Sequence, residues 1–217
     1  MSNDIRVEFV SAMGSDLTPI QAARISLNSE SEEMTEKDEK LIKYLADHQN
    51  LTPSEHQALV VIIHCPLFIR SQIHRHRTFS FSEVSLRPNS DNLEFYIPDA
   101  DDIRSQSKNN KQGSGDPIEA DLAQLCQDAM VKITADALKT FEKLIEAGVS
   151  QEQARTILPQ NLMTKFYATG NLRNWVHFLK LRLDPHAQKE VRVVAEQVAA
   201  LIQERWPVSF AALMGEK

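Results

Sequence analysis

The sequence predicts an α+β fold, helix-rich, in a single domain over residues 1–217 with a small mixed sheet. Three observations carry this expectation. Apolar side chains recur every three to four residues across 36–48, 118–147, 171–183 and 186–205, the period of a helix with one buried face. Short runs at 5–10, 57–64, 94–97 and 161–169 are alternating, β-branched or mixed in character and read as strands. The 217 residues, 42% hydrophobic and 25% charged, suffice to bury a core without disulfide or metal staples.

Taken in order, IRVEFV (5–10) alternates and predicts the first strand. Met13-Gly14-Ser15-Asp16 has turn chemistry, and Thr18 as N-cap with Pro19 in the first turn starts a helix over 18–25. The polar, acidic segment 26–35 predicts a loop. In the helix at 36–48, Leu41, Ile42, Tyr44 and Leu45 mark the buried face. Thr52-Pro53-Ser54-Glu55 has the form of a capping box. QALVVIIH (57–64) predicts a buried strand, ended by Pro66. A helix from Leu67 to about His74 follows, and its spacing puts Gln72, Arg75 and His76 on one face. Residues 78–85 alternate weakly, and 94–97 reads as a short strand. Residues 99–117 are acidic and then rich in Ser, Asn, Lys and Gly, which predicts a mobile loop.

The longest helix is expected at 118–147, with Ile118, Leu122, Leu125, Ala129, Ile133, Ala137, Leu144 and Ile145 on its apolar face and Gly148 as its C-terminal cap. Ser150 opens a short helix that Pro159 stops. Leu172, Trp175, Val176 and Leu179 face inward from 171–183, and Ala187, Val191, Val194, Val198, Leu201 and Ile202 from 186–205. A short helix at 210–214 closes the chain.

Composition narrows the function. The formal net charge of −6 excludes a polyanion binder as a whole molecule, though not a local basic site. A nucleic-acid or phosphopeptide binder is further disfavoured by the absence of a known reader motif, so no nucleic-acid partner is expected. Two cysteines, Cys65 and Cys126, without CxxC spacing, fit a reducing compartment and argue against a disulfide framework or a thiolate zinc site. No signal-peptide pattern opens the chain, and the longest apolar run is broken by His64, Pro66 and Arg70. A cytoplasmic protein with no membrane partner is expected. No metal is expected either: Arg75 between His74 and His76 repels a cation, and His48 and His56 lack a carboxylate at ligand spacing. Cys65, in an apolar run before Pro66, has the setting of an inert thiol. The glycine fingerprint of a Rossmann fold, the P-loop and the nucleophile elbow are all missing.

Chemistry concentrates in 72–87, QIHRHRTFSFSEVSLR. Arginine forks match phosphate or carboxylate, and serine hydroxyls complete such a cradle. Glu83 among these cations can accept from a ribose hydroxyl or a ring N–H. A nucleotide, phosphate plus sugar, is the ligand these residue types suggest. A second polar group lies far along the chain: Arg155, Asn171, Arg173, His177, Arg182 and His186. Arg173 and His177, four apart, share a helix face.

The spacing Arg75-His76-Arg77, seven residues, Ser85 resembles the signature of the flavin-dependent thymidylate synthases. Gln72 stands three residues before it, and Glu83, Ser85 and Arg87 reproduce E-x-S-x-R. AARIS (22–26), TPSEH (52–56), EFYIP (94–98), ARTILP (154–159), Asn171-x-Arg173 and LRLDPHAQ-x-E (181–190) look like further family blocks, in family order. The resemblance covers nearly the whole chain.

It implies a fold of that type, a homotetramer with active sites where subunits meet, and FAD as cofactor. It implies reductive methylation of dUMP to dTMP, with methylene-tetrahydrofolate as carbon donor and NADPH as reductant, and no cysteine nucleophile. Thr52, Glu55, Arg75, His76, Arg77, Glu83, Asn171, Arg173 and His177 would bind FAD. Gln72, Arg75, Glu83, Ser85, Leu86, Arg87, Arg155 and Arg182 would bind dUMP, with Arg182 and Ser85 catalytic. Arg182 matches the arginine that polarises the uracil, a role suited to a fixed guanidinium facing developing charge. The chain departs from the family at Pro88, where an aromatic is usual, at Leu86, at His177, where Asn is common, and at Leu27. The alternative these changes raise is an FAD- and nucleotide-binding protein of the same fold with lost or altered methyl transfer.

Overall fold

The computed structural model describes residues 4–25, 32–85, 93–108 and 113–215. The elements are β1 (Arg6–Met13), α1 (Leu17–Arg24), α2 (Glu36–Asp47), a 3-10 turn at Thr52–His56, β2 (Ala58–Pro66), α3 (Leu67–Ile73) and β3 (Ser80–Glu83). They continue as β4 (Arg104–Gln106), β5 (Ser114–Pro117), α4 (Ala120–Glu146), α5 (Gln151–Ala154), β6 (Met163–Asn171), α6 (Leu172–Arg182), α7 (Lys189–Arg205) and α8 (Pro207–Met214). The predicted α+β, helix-rich class holds.

Four strands form one sheet in the order β1-β2-β6-β3, and β4 pairs with β5 alone. The sheet is antiparallel where its ends are fixed, not mixed. Leu67 N–H donates to Leu162 O and Leu172 N–H to Gln57 O, so β2 and β6 run in opposite directions. Val84 N–H donates to Lys165 O while Phe79 lies against Gly170, so β3 and β6 do the same.

The chain divides into two compact units interleaved in sequence. One comprises Met1–Ile5, His64–Ile73 and Glu83–Phe166; the other comprises Arg6–Ile63, His74–Ser82 and Tyr167–Lys217.

In the second unit the core gathers Ile20, Ile42, Leu59, Val61, Trp175, Phe178, Leu179, Val194, Val198, Ile202 and Trp206, all essentially buried. Polar ties pin its loops. Trp206 Nε1 donates to Gly14 O (2.9 Å), where Gly14 takes φ +88°. The Asp16 carboxylate accepts the Val208 and Ser209 N–H groups, satisfying donors in the first turn of α8. Buried Gln57 donates to Ser15 O and Ser209 Oγ. The capping box of this unit is Thr35 with Asp38, and Arg24 pairs with that buried carboxylate at 2.6 Å. The Thr35 hydroxyl, more than the Arg24 charge, holds the Asp38 carboxyl below its usual range against the cost of burial.

In the first unit Asn161 Nδ2 donates to Tyr96 O and to buried Thr134 Oγ1. This ties α4 to the segment that enters β6.

Several sequence expectations fail for identifiable reasons. Thr52-Pro53-Ser54-Glu55 forms a 3-10 turn with no side-chain cap, because the run into β2 leaves no room for a full helix. Tyr44 is 57% exposed, and Ala46 takes its place on the buried face of α2. α3 stops at Ile73, so Arg75 and His76 lie in the turn beyond it and share no helix face with Gln72. Residues 94–97 form no full strand; Phe95 bridges Leu162 in antiparallel sense, with Tyr96 N–H donating to Asn161 O and Met163 N–H to Glu94 O. The segment expected to be a loop at 99–117 holds a 3-10 turn at Ala100–Asp102 and the β4–β5 ladder. Residues 109–112 of that segment lie outside the described residues.

The largest difference is on α4. Its buried side chains are Ala123, Thr134 and Phe141. Leu122 (51%), Leu125 (67%) and Ile133 (65%), expected inside, are exposed. At 100° per residue the two rows lie roughly 120° apart around the helix. Gly148, at φ +85°, ends the helix as expected.

Gly170 takes its place on β6 for want of a side chain. A Cβ there would stand 2.4 Å from Phe79 Cε1. Gly170→Ala is expected to lower unfolding stability in urea by about 1–3 kcal/mol, the usual cost of overpacking. An unchanged midpoint would show that the Phe79 ring moves aside without cost.

Candidate functional site

β2 delivers the chain through Pro66 into α3, and the turn after Ile73 carries the Arg75-His76-Arg77 triplet into β3. The triplet is not a uniform basic patch. Arg75 and Arg77 are exposed, while His76 points inward and is 7% exposed. Its imidazole sits edge-on to Phe178 (5.0 Å between centroids), His177 (6.0 Å) and Phe79 (6.3 Å). Arg182, at the last position of α6, donates its Nε–H to His76 Nε2 at 3.3 Å.

Burial first, then the charges of Arg182 and His177, push the His76 pKa down to about 4, so the ring is neutral at neutral pH. Burial also pulls the Arg182 pKa down from its ordinary value, without bringing it near neutrality. The folded chain therefore resists a proton that the unfolded chain accepts near pH 6.5. The corresponding stability is present above that pH and is lost as pH falls towards about 4.

α6 presents the rest of this cluster. Leu172, Trp175, Val176, Phe178 and Leu179 are buried, which leaves Arg173, His177 and Lys180 on the open side. Asn171 caps the helix, its side chain accepting from Asn174 N–H at 3.0 Å. Glu55, from the 3-10 turn, pairs with Arg173. These residues line a cleft of about 670 Å³ with Ala46, Gln49, Leu51, Thr78 and Leu213. Of the residues assigned to FAD by resemblance, Glu55, Asn171, Arg173 and His177 line it. Thr52 is exposed on the same turn as Glu55.

Gln49, Thr78, Asn174 and Lys180 line the cleft and were missed from sequence. Lys180 was within reach, since it continues the spacing from Arg173 through His177 by three residues. With Arg173, His177, Lys180 and two asparagine amides around one cleft, the donor set fits a phosphate-bearing cofactor such as a flavin nucleotide.

The first unit holds Gln72 and Ser85, both half-buried, Arg155, exposed on a 3-10 turn after α5, and Glu83. Leu86, Arg87 and Pro88 lie outside the described residues. Glu83 is already engaged. Arg70 Nε donates to both carboxylate oxygens at 3.0 Å, Arg70 Nη2 to Oε2 at 2.7 Å, and Thr164 Oγ1 to Oε1 at 2.7 Å. Arg70 appeared in the sequence only as a break in an apolar run. Its tie to Glu83 crosses thirteen residues and has no local signature. Cys65 is fully buried, and its thiol is pushed well up, chiefly by burial and secondly by the Glu83 charge. Such a thiol is no nucleophile at neutral pH.

Removing Arg70 alone leaves a half-buried carboxylate without its bidentate partner. Arg70→Leu is expected to cost about 1.5–3 kcal/mol in urea unfolding, the range for hydrogen bonds to a charged group. Arg70→Leu with Glu83→Leu should recover part of that loss. A double variant no better than the single one would contradict the pairing.

The family model described as "Thymidylate synthase complementing protein" matches residues 8–208. A protein named flavin-dependent thymidylate synthase from Wolbachia pipientis wMel is 38% identical over 208 residues, covering 96% of this chain and 73% of that one. One of the same name from Thermus thermophilus is 39% identical over 209 residues, covering 95% and 74%. Among solved structures, a UMP/dUMP methylase, PolB from Streptomyces cacaoi, bound with 5-Br dUMP, superimposes with a TM-score of 0.87 at 32% identity. That alignment covers 97% of this chain and 94% of the other.

Proposed function

The chain belongs to the flavin-dependent thymidylate synthase family, and on that premise we propose that it converts dUMP to dTMP by reductive methylation with FAD as its flavin. The carbon donor is methylene-tetrahydrofolate and the reductant NADPH. The overall balance is dUMP, methylene-tetrahydrofolate, NADPH and a proton giving dTMP, tetrahydrofolate and NADP⁺. Bound flavin would supply the hydride relay between the nicotinamide and the one-carbon unit.

The observation that supports this reading most directly is Arg182. Its guanidinium is partly buried and held by a neutral imidazole, so that hydrogen bond does not neutralise its charge. A fixed cation of this kind stabilises negative charge growing on a uracil ring and so raises the nucleophilicity of its C5 carbon. Cys65, buried with a raised pKa, gives no competing covalent route. Glu55, Asn171, Arg173 and His177, with Arg75, Arg77 and Thr52, are assigned to FAD. Gln72, Arg75, Ser85, Leu86, Arg87 and Arg155 are assigned to dUMP, with Ser85 beside the reacting ring. Glu83, held by Arg70 and Thr164, acts on either ligand chiefly by fixing the strand that carries it.

A second substrate is favoured by one comparison. The PolB structure is described as a UMP/dUMP methylase, so UMP belongs in the same assay. The enzyme is proposed to work as a cytoplasmic homotetramer with active sites where subunits meet. Among the described residues no helix is long and apolar enough to cross a membrane. The exposed row of Leu122, Leu125 and Ile133 on α4 supports self-association, since a second copy would bury it.

Purified protein should absorb as a flavoprotein and release tritium from 5-tritiated dUMP when folate and NADPH are supplied. Flavin binding with no release from dUMP or UMP would favour the alternative with lost or altered methyl transfer. Arg182→Ala should lower turnover by about 100- to 1000-fold, the range for removing a transition-state donor, while flavin content changes little. Near-normal turnover would refute its role. Light scattering should give a tetramer mass, and Leu125→Glu should shift that mass downward; a monomer in the wild type would remove the assembly from the proposal.

A further inference from the structure

Resemblance assigns His76 to the flavin, but its observed contact is with Arg182. Within its unit, His76 sits in a nest made by Phe79 from its own segment and by His177, Phe178 and Arg182 from α6. The ring is buried, whereas the arginines on either side of it in sequence, Arg75 and Arg77, are exposed. Its Nε2 accepts from Arg182 Nε, which requires the tautomer with the proton on Nδ1.

We propose that His76 is a positioning residue for Arg182, its neutral imidazole accepting the Nε–H and thereby fixing the direction of the remaining guanidinium donors. The catalytic consequence rests on the reading of Arg182 as the residue that meets the uracil; the hydrogen bond itself does not. Arginine at a helix end has many rotamers, and one hydrogen bond at Nε selects among them without using either terminal nitrogen. A charged His76 could not do this. It would present an N–H to an N–H and repel the cation. The nest prevents that charge: burial, Arg182 and His177 all oppose protonation, and the charged or titratable groups acting on the ring, Arg182 and His177, both come from α6. The device is thus one-directional, closed at neutral pH and released on acidification.

The proposal can be tested without catalysis. Histidine-labelled protein, free of added ligand, should show His76 in the Nδ1–H tautomer by ¹⁵N and ¹³C NMR, with a midpoint near pH 4. Arg182→Met should raise that midpoint, because it removes a cation facing the ring. The Arg182 Nε–H resonance should be protected from exchange in the wild type and lost in His76→Phe. A midpoint that Arg182→Met does not move, or a protected Nε–H signal that survives in His76→Phe, overturns the contact.

The catalytic half is read separately. With dUMP as the varied substrate, His76→Phe should lose roughly 10- to 100-fold in kcat/KM, the value of one hydrogen bond to a charged group, with flavin content retained. His76→Gln, which restores an acceptor near the Nε2 position, should recover most of it. Equal losses in Phe and Gln variants, or loss of flavin with the Nε–H signal intact, would return His76 to a packing or flavin role. If the wild type shows the NMR signatures but releases no tritium from dUMP or UMP, the enzyme reading fails while the His76–Arg182 contact stands.

Discussion

The burial of one face of α6 is the constraint on which the candidate site depends. Leu172, Trp175, Val176, Phe178 and Leu179 go into the core, each worth about 1.5–3 kcal/mol relative to exposure. The Trp175 indole also donates to Leu59 O, so the helix cannot rotate without orphaning a buried donor. With one face fixed, the helical period dictates the other. Arg173, His177 and Lys180 must line the cleft together, and Arg182 must end the helix beside His76. The chemistry of the site is therefore set by apolar packing a few ångströms away from it.

The two units handle charge in opposite ways. Around His76 charge is suppressed: the imidazole stays neutral so that it can accept from a cation. Around Glu83 charge is kept and matched, by a bidentate arginine and a threonine hydroxyl. Each solution answers the same penalty for partly burying an ionisable group. The first does not neutralise the charge of Arg182, and the second uses the charge of Glu83 internally. On the proposed function, that difference keeps the charge of Arg182 for a reacting ring, while the Glu83 carboxylate also ties β3 to Arg70 and Thr164.

Most of the helices were legible in the sequence because their periodicity, caps and stop signals agree. α2, α6 and α7 bury nearly the residues their spacing indicates. α4 shows where such reading ends. Its apolar row is real, but period reports only that a face is apolar, not which body covers it. In this chain Ala123, Thr134 and Phe141 face inward, and the leucine–isoleucine row faces out. The short capping-box pattern at 52–55 misled for a different reason: local chemistry proposed a helix, and the adjacent buried strand allowed only a 3-10 turn.

The candidate site was legible in its residue types more than in its contacts. The triplet of basic residues at 75–77 reads as one patch in sequence, yet a turn splits it into two solvent-facing arginines and one inward histidine. Arg70 with Glu83 and His76 with Arg182 join residues thirteen and 106 positions apart, and neither has a spacing rule. For His76 the deciding step was tertiary: α3 ended two residues before Arg75. Had the helix run on, His76 would share a face with Gln72; ending at Ile73, it frees the chain to turn its histidine inward. The identity of the residues limits what the site can do, and the place where one short helix stops determines which of them does it.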